Sequence, residues 1–229
     1  MADPLAASDS AAPVRARLWD APTRVVHWAL VVLLLVSWFT AGENMDVHRW
    51  SGYSVMGLVI FRIYWGVFGS QTARFASFVK GPKATLAYAG ALGKRAPSEV
   101  AGHNPLGAVS VVAILALLVA QVTLGLFAVD IDGLESGPLS HLVSFDTGRL
   151  CAEWHELTFR ALQALVVVHV AAVIFYLAYK RQNLIGPMIT GRRAFAADPG
   201  LRFAPWWSLV IGVVIAFGLM WFISKGLKF

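Results

Sequence analysis

The stretch WHELTFRALQALVVVHVAAVIFYLAY, residues 154–179, decides the fold. Residues 157–179 are almost continuously apolar, and a helix needs about 20 such residues to cross a hydrocarbon core of about 30 Å. Only helices and closed barrels satisfy their backbone hydrogen bonds in lipid, and an apolar run of this length indicates a helix. Two histidines, His155 and His169, lie in this predicted membrane span, where a polar side chain is expensive.

Four further stretches predict membrane spans, which makes the chain an all-α, polytopic membrane helix bundle. The chain of 229 residues is 58% hydrophobic and only 14% charged, and its mean hydropathy is +0.65. This composition excludes a soluble domain. We expect a disordered cytoplasmic tail over residues 1–17, a four-helix membrane domain over residues 18–193, and a linker with a fifth C-terminal transmembrane helix over residues 194–229. The other four spans are predicted at residues 25–41, 50–69, 106–129 and 206–223.

The net charge of +6 is explained by the orientation of the chain in the membrane rather than by affinity for nucleic acid. Lys and Arg concentrate before the first span and in the second–third and fourth–fifth loops, whereas the other two loops are acidic. This alternation follows the positive-inside rule, so the N-terminus is predicted to be cytoplasmic. The acidic loops therefore face outside, and a short interfacial helix is expected at residues 83–92 of a basic loop.

Four histidines are predicted to form two pairs at different depths. His155 and His169 are 14 residues apart, so they project from nearly the same helix face and lie about 21 Å apart along the axis. With this topology, His48 and His155 both lie near the outer surface of the membrane, and His27 and His169 both lie in its inner half. Two imidazoles per iron describe a six-coordinate haem suited to electron transfer. The single Cys151 and the absence of a C-x-x-C-H motif exclude covalent attachment of haem.

Other residues near these histidines are candidates for contacts with haem. Gly52 lies one turn from His48 and would let a macrocycle approach the helix, although it is equally a helix-packing residue. Arg62 and Arg24 are candidates for pairing with haem propionates, with snorkelling or simple flanking charge as the alternatives. Arg49 is a similar candidate at the outer surface. The remaining two histidines, His103 and His141, fall in loops and are expected to be solvated, with a site role such as proton delivery to a quinone as the alternative.

The residues around these histidines resemble the bacterial cytochrome b-561 family, which includes the membrane-anchoring cytochrome b subunits of nickel–iron hydrogenases. The resemblance covers residues 18–193 and implies that His27, His48, His155 and His169 bind two non-covalent haems b in the same pairing. It also implies electron exchange between a quinone and a partner on the outer face. The motifs are W-D-x-P-x-R-x-x-H-W at 19–28, H-R-W-x-G-Y at 48–53 and W-H-E at 154–156.

The expected function is transmembrane electron transfer in the bacterial inner membrane, between the quinone pool and a periplasmic redox protein such as a c-type cytochrome or a hydrogenase. A stand-alone quinone-linked oxidoreductase, such as a superoxide oxidase, is the alternative from the enzyme class. A haem-free membrane transporter or anchor is the third candidate function. The acidic outer loops favour a protein partner over an anionic small substrate.

Overall fold

The computed structural model describes residues 13–95, 100–132 and 134–228, and these residues are mostly helical. Within them, five helices are long and apolar enough to cross a membrane. The prediction of an all-α polytopic bundle with a fifth C-terminal helix is confirmed. The five are α1 (Ala21–Thr40), α2 (Met45–Phe68), α5 (Pro105–Phe127), α6 (Phe145–Ala178) and α8 (Trp206–Ser224).

Short elements connect the long helices. One is the predicted interfacial helix, found close to its expected position as α4 (Pro82–Gly90). The others were not predicted, because each is too short to produce a periodic signal. They are α3 (Phe75–Phe78), α7 (Ile185–Thr190), a 3₁₀ turn at Ser140–Leu142, and the strands β1 (Val14–Arg17) and β2 (Arg192–Phe195).

Polar residues just before the long helices fix where those helices begin. A side-chain oxygen at each N-cap accepts a hydrogen bond from the backbone N–H three residues later, which satisfies a donor that the helix itself leaves free. The N-caps of α1, α2, α5 and α6 are Asp20, Asn44, Asn104 and Ser144. Pro22 and Pro105 stand in the first turns of their helices, where proline costs no hydrogen bond.

Helix α2 is the centre of the bundle, since it packs against α1, α5 and α8, while α6 packs against α5. Its buried residues include Val55, Val59 and Trp65. Most of the surface of the other long helices remains outward and apolar, as lipid-facing helices require. The two packed pairs, α1 with α2 and α5 with α6, leave the histidines between them.

The fifth membrane helix packs against α2 through small residues. Ser208, Gly212 and Ala216 recur every four residues and are its buried positions, a spacing that lets two helices approach closely in a membrane. A Cβ atom at Gly212 would lie 2.6 Å from Cδ1 of Tyr64 on α2. Helix α8 therefore belongs to the bundle.

Short segments pack together at the end of the bundle that contains His27. This end is called the His27 end below, and the opposite end is called the His48 end. Strand β1 pairs antiparallel with β2, and the backbone N–H groups of Leu18 and Trp19 donate to the Gly191 carbonyl. Asp20 accepts hydrogen bonds from the Thr23 backbone and, at 2.9 Å, from Trp65 Nε1.

Two expectations need correction. Disorder was expected through residue 17, but Val14–Arg17 forms β1 because β2 offers it a backbone partner; residues 1–12 of that predicted tail lie outside the described residues. The apolar part of the fourth span begins at residue 157, but α6 already begins at Phe145. Hydropathy detects only the apolar part of this 34-residue helix, which extends about 50 Å and projects its polar first turns beyond the hydrocarbon.

Candidate functional site: two histidine pairs

The four candidate ligands meet as two pairs between the helices. At the His48 end, the imidazole rings of His48 on α2 and His155 on α6 have centroids 6.2 Å apart. At the His27 end, the rings of His27 on α1 and His169 on α6 have centroids 6.5 Å apart. Helix α6 thus contributes one histidine to each pair.

The spacing of both pairs fits two imidazoles on opposite sides of one haem iron. A metal–imidazole nitrogen bond is about 2 Å long, and the ring centroid lies about 1 Å behind that nitrogen, so the centroids of two opposing ligands stand about 6 Å apart. Among the described residues, His, Cys, Asp and Glu form no cluster of three or more that could hold a metal ion. Donors that come in pairs match a porphyrin, because its four pyrrole nitrogens complete the coordination of iron.

At the His48 end, backbone carbonyls orient both imidazoles. His48 Nδ1 lies 2.8 Å from the Ser37 carbonyl oxygen, and His155 Nδ1 lies 2.9 Å from the Gln121 carbonyl oxygen. Each Nδ1 then carries the proton that it donates, which leaves the Nε2 lone pair as the metal-binding group. The Nε2 of His155 lies against the Gln121 side-chain amide, which iron would replace. The hydroxyls of Ser37 and Ser51, 2.6 Å apart, join α1 to α2 beside this carbonyl.

Sequence reasoning missed Gln121 and Gly125, both on α5 behind His155. The Gln121 side chain is buried; its Nε2 lies 3.1 Å from His155 Nε2, and its Oε1 accepts a hydrogen bond from Thr158. A Cβ at Gly125 would lie 2.9 Å from His155 Cε1, so glycine leaves the space that the imidazole fills. A glutamine inside an otherwise apolar span was the signal in the sequence.

Open space adjoins Gly52, the predicted macrocycle contact. No side-chain or backbone atom of a neighbouring segment lies within 4 Å of the position that a Cβ would take there. This contrasts with the crowded surroundings of Gly125 and Gly212. The space fits a flat group against α2 one turn from His48.

At the His27 end, Arg62 is a buried cation without an ion pair in the described part of the chain. It is 9% exposed, donates to the Ala73 carbonyl at 3.3 Å and lies over the Phe75 ring. A buried charge requires a partner or a large desolvation penalty. The surroundings of Arg62 therefore fit a bound anion such as a haem propionate.

The other candidate arginines have protein partners. Arg24 donates to the Ile189 carbonyl at the end of α7, although its buried Nε has no hydrogen-bond partner in the part of the chain that the structure describes. Arg49 forms ion pairs with Asp46 and Glu135 at the His48 end. Arg24 thus holds α7 against α1, and the charge of Arg49 is already neutralised.

The two loop histidines differ from each other. His141 is exposed, as expected, but His103 is half-buried between the rings of Trp19 and Phe78, with centroid distances of 4.8 Å and 4.7 Å. The expectation that His103 is solvated is wrong. Three segments that are distant in sequence converge on this residue, and the loop composition alone gave no sign of that.

A lateral groove and a smaller cavity lie at the His27 end. The groove has a volume of about 600 Å³ and runs between α1 and α7. One wall is Trp28, whose ring makes an edge contact with His27 at a centroid distance of 5.1 Å. The cavity, of about 150 Å³, lies beside His103. The other residues lining the groove include Arg24, Val25, Val32, Met188 and Ile189.

A five-helix membrane bundle with two stacked histidine pairs is the architecture of a di-haem b-type cytochrome. A family model described as "Prokaryotic cytochrome b561" matches residues 18–191, and the chain belongs to this family. The family implies haem b, a multi-pass membrane location and transmembrane electron transfer.

Three curated relatives share a common name, "Probable Ni/Fe-hydrogenase B-type cytochrome subunit". The protein of Azotobacter chroococcum mcd 1 is 26% identical over 216 residues, covering 79% of this chain and 89% of the relative. That of Bradyrhizobium diazoefficiens is 24% identical over 212 residues, covering 78% and 85%. That of Cupriavidus necator is 26% identical over 213 residues, covering 78% and 86%. No solved structure gives a significant match.

Proposed function

We propose that this chain carries electrons across the bacterial cytoplasmic membrane through two b haems, with quinone at the His27 end and a redox protein at the His48 end. His48 and His155 hold the outer haem, and His27 and His169 hold the inner one. The observation that carries this proposal is the ring spacing of 6.2 Å and 6.5 Å in the two pairs. When bound, haem supplies one-electron iron chemistry, and the chain supplies ligation, spacing and a dry setting.

The chain's own groups keep the ligands in place. The Ser37 and Gln121 carbonyls accept the Nδ1–H protons of His48 and His155, which leaves each Nε2 lone pair as the group that would hold iron. At His155, iron would take the place of the Gln121 side-chain amide that lies against Nε2. Gly52 leaves room for a macrocycle, and Arg62 offers a buried positive charge for a propionate. Arg24 remains a candidate for the second propionate through its Nε, which has no hydrogen-bond partner among the described residues.

A protein is the more suitable partner at the His48 end, because two of the arginines there are ion-paired and carboxylates are exposed. Arg49 is bound to Asp46 and Glu135, and Arg160 to Glu156. Exposed carboxylates, including Asp132 and Glu153, would repel an anionic small substrate and attract a basic surface. The names of the relatives make a hydrogenase the first partner to test and a c-type cytochrome the second.

A membrane quinone is the proposed substrate at the opposite end. The groove between α1 and α7 is mainly apolar, and its wall residues Val25, Val32 and Ile189 are exposed on the membrane side. A hydrophobic molecule can enter such a groove from the bilayer. Trp28 connects the groove to His27 by ring contact, so a quinone held there lies next to the inner ligand pair.

Purified protein in proteoliposomes tests this function. A short-chain quinol should reduce the haems, which is followed by their b-type absorbance bands. Oxidised hydrogenase or an oxidised c-type cytochrome should then reoxidise the haems. In His169→Ala, the quinol should no longer reduce the remaining outer haem, whereas dithionite still should. Reduction by superoxide but not by quinol or protein partners would favour the stand-alone oxidoreductase, and protein without b-type bands would favour the transporter or anchor.

A further inference from the structure

His103 is one of the residues that line the smaller cavity at the His27 end. Its ring packs between Trp19, which precedes α1, and Phe78 of α3. The next residue, Asn104, caps α5. Two aromatic contacts and a helix cap hold the imidazole in one place, although it lies in a connecting segment.

On one side of His103, the cavity extends towards the protein surface. Its volume of about 150 Å³ is enough for several water molecules, each of which occupies about 30 Å³ in the liquid. Thr72, at the deep side, is buried, whereas Ser77 and Lys80 are exposed. Hydroxyl, amide and ammonium groups stand among apolar side chains in its lining and offer hydrogen-bond partners to water.

On its other side, His103 is an electrostatic neighbour of the inner pair. Burial, followed by the charges of Arg62, His169 and His27, lowers the pKa of His103 to about 3. The imidazole is therefore neutral near pH 7. Its Nδ1 is buried and has no hydrogen-bond partner among the described residues, so this nitrogen is available to a water molecule.

We propose that this cavity is a proton entry path, and that His103 relays protons from its water to the quinone at the inner histidine pair. This inference rests on the proposed function, because reduction of a quinone to a quinol consumes two electrons and two protons. The electrons come from the redox protein at the His48 end, and the protons from the solution at the His27 end.

The relay step is balanced at the imidazole. One ring nitrogen accepts a proton from cavity water while the other releases its proton towards the quinone, so each cycle moves one proton and leaves His103 neutral. The tautomer then resets before the second proton. The nearby positive charge of Arg62 makes a long-lived imidazolium unfavourable, which favours passing a proton over storing one. Oxidation of a quinol uses the same path in reverse.

The first test replaces His103 in the full-length, haem-loaded protein in proteoliposomes. His103→Ala should slow quinone reduction and the accompanying proton uptake, followed with a pH-sensitive dye, by roughly ten-fold or more. Haem content and reduction by dithionite, which needs no proton path, should be unchanged. Added imidazole should restore the rate. His141→Leu, which replaces the exposed loop histidine at the opposite end, is the matched control and should behave like wild type.

A second variant closes the cavity without changing His103. Ser77→Trp fills the exposed part of the lining, whereas Ala76→Trp adds the same side chain at an exposed neighbour outside it. Only Ser77→Trp should slow proton uptake, and imidazole should not restore it. This pair decides the question if His103→Ala loses its haem.

Three results would overturn the relay. Unchanged quinone reduction in both His103→Ala and Ser77→Trp would mean that protons enter elsewhere. A slow His103→Ala that imidazole does not restore, with Ser77→Trp unaffected, would assign His103 a purely structural role. Wild-type protein that neither binds haem nor reduces quinone would overturn the proposed function and the relay together.

Discussion

A histidine in a membrane span binds iron well only if its other ring nitrogen has a fixed partner. The Ser37 and Gln121 carbonyls provide this for His48 and His155, and backbone acceptors cannot be read from side-chain identity. The sequence could therefore predict the four histidines from their cost in lipid and their spacing, but not the groups that orient them. The sequence also gave no sign that His103 is partly buried, because this burial results from three segments that meet only in the folded chain.

Substitution of Gly125 should lower haem content more than substitution of Gln121. Gly125→Val should displace the His155 ring, since even a Cβ there lies 2.9 Å from His155 Cε1, and haem content should fall from two to about one per chain. Gln121→Leu is the matched change on the same helix. It keeps the backbone carbonyl that accepts from His155 Nδ1 and should retain both haems. Pyridine haemochrome assays measure this, and equal haem content in the two variants would contradict the assigned role of Gly125.

Among the elements, the apolar parts of the five long helices follow directly from hydropathy, because the membrane imposes their length. The extra turns of α6, from Phe145, were not predicted, since they are polar and stabilised by the Ser144 cap and by packing of Gly148 on Val129. The β1–β2 ribbon was missed for a related reason: four-residue strands depend on a partner distant in sequence. The small-residue stripe of α8 was visible in the sequence, but its partner helix was not.

Crowding along that stripe gives a prediction for α8. Gly212→Leu should force α8 away from Tyr64 and Phe61 on α2 and destabilise the protein by about 1–3 kcal/mol. A lower Tm in detergent should follow, with two haems still bound at low temperature because α8 supplies no histidine ligand. The control is Gly218→Leu, since the position of its Cβ is open. An unchanged Tm for Gly212→Leu would mean that α8 does not pack on α2 as described.

For the whole molecule, charge and geometry give the two ends different tasks. The His48 end combines exposed carboxylates with ion-paired arginines, which suits a protein partner. The His27 end combines the lateral groove, the smaller cavity and most of the basic residues, which suits the membrane-soluble substrate proposed for that end. One membrane span, α6, connects the two ends through ligands about 21 Å apart along its axis.

This division requires the His27 end to be cytoplasmic, as the positive-inside rule predicts. In a Cys151→Ser background, Asp132→Cys should react with a membrane-impermeant maleimide in intact spheroplasts, because Asp132 is exposed at the His48 end. Lys83→Cys, which is equally exposed on α4 at the other end, should react only after the membrane is permeabilised. The reverse pattern of labelling would invert the orientation and the proposed assignment of partners.

The most direct measurement for the account as a whole is the ratio of haem b to protein in wild type and in single-alanine variants of the four ligands, combined with redox titration of each. We predict two haems in wild type and one in every variant. His48→Ala and His155→Ala should lose the same redox component, and His27→Ala and His169→Ala should lose the other. Two haems retained in any of these variants, or loss of the same component from His27→Ala and His48→Ala, would contradict the paired ligation on which the account depends.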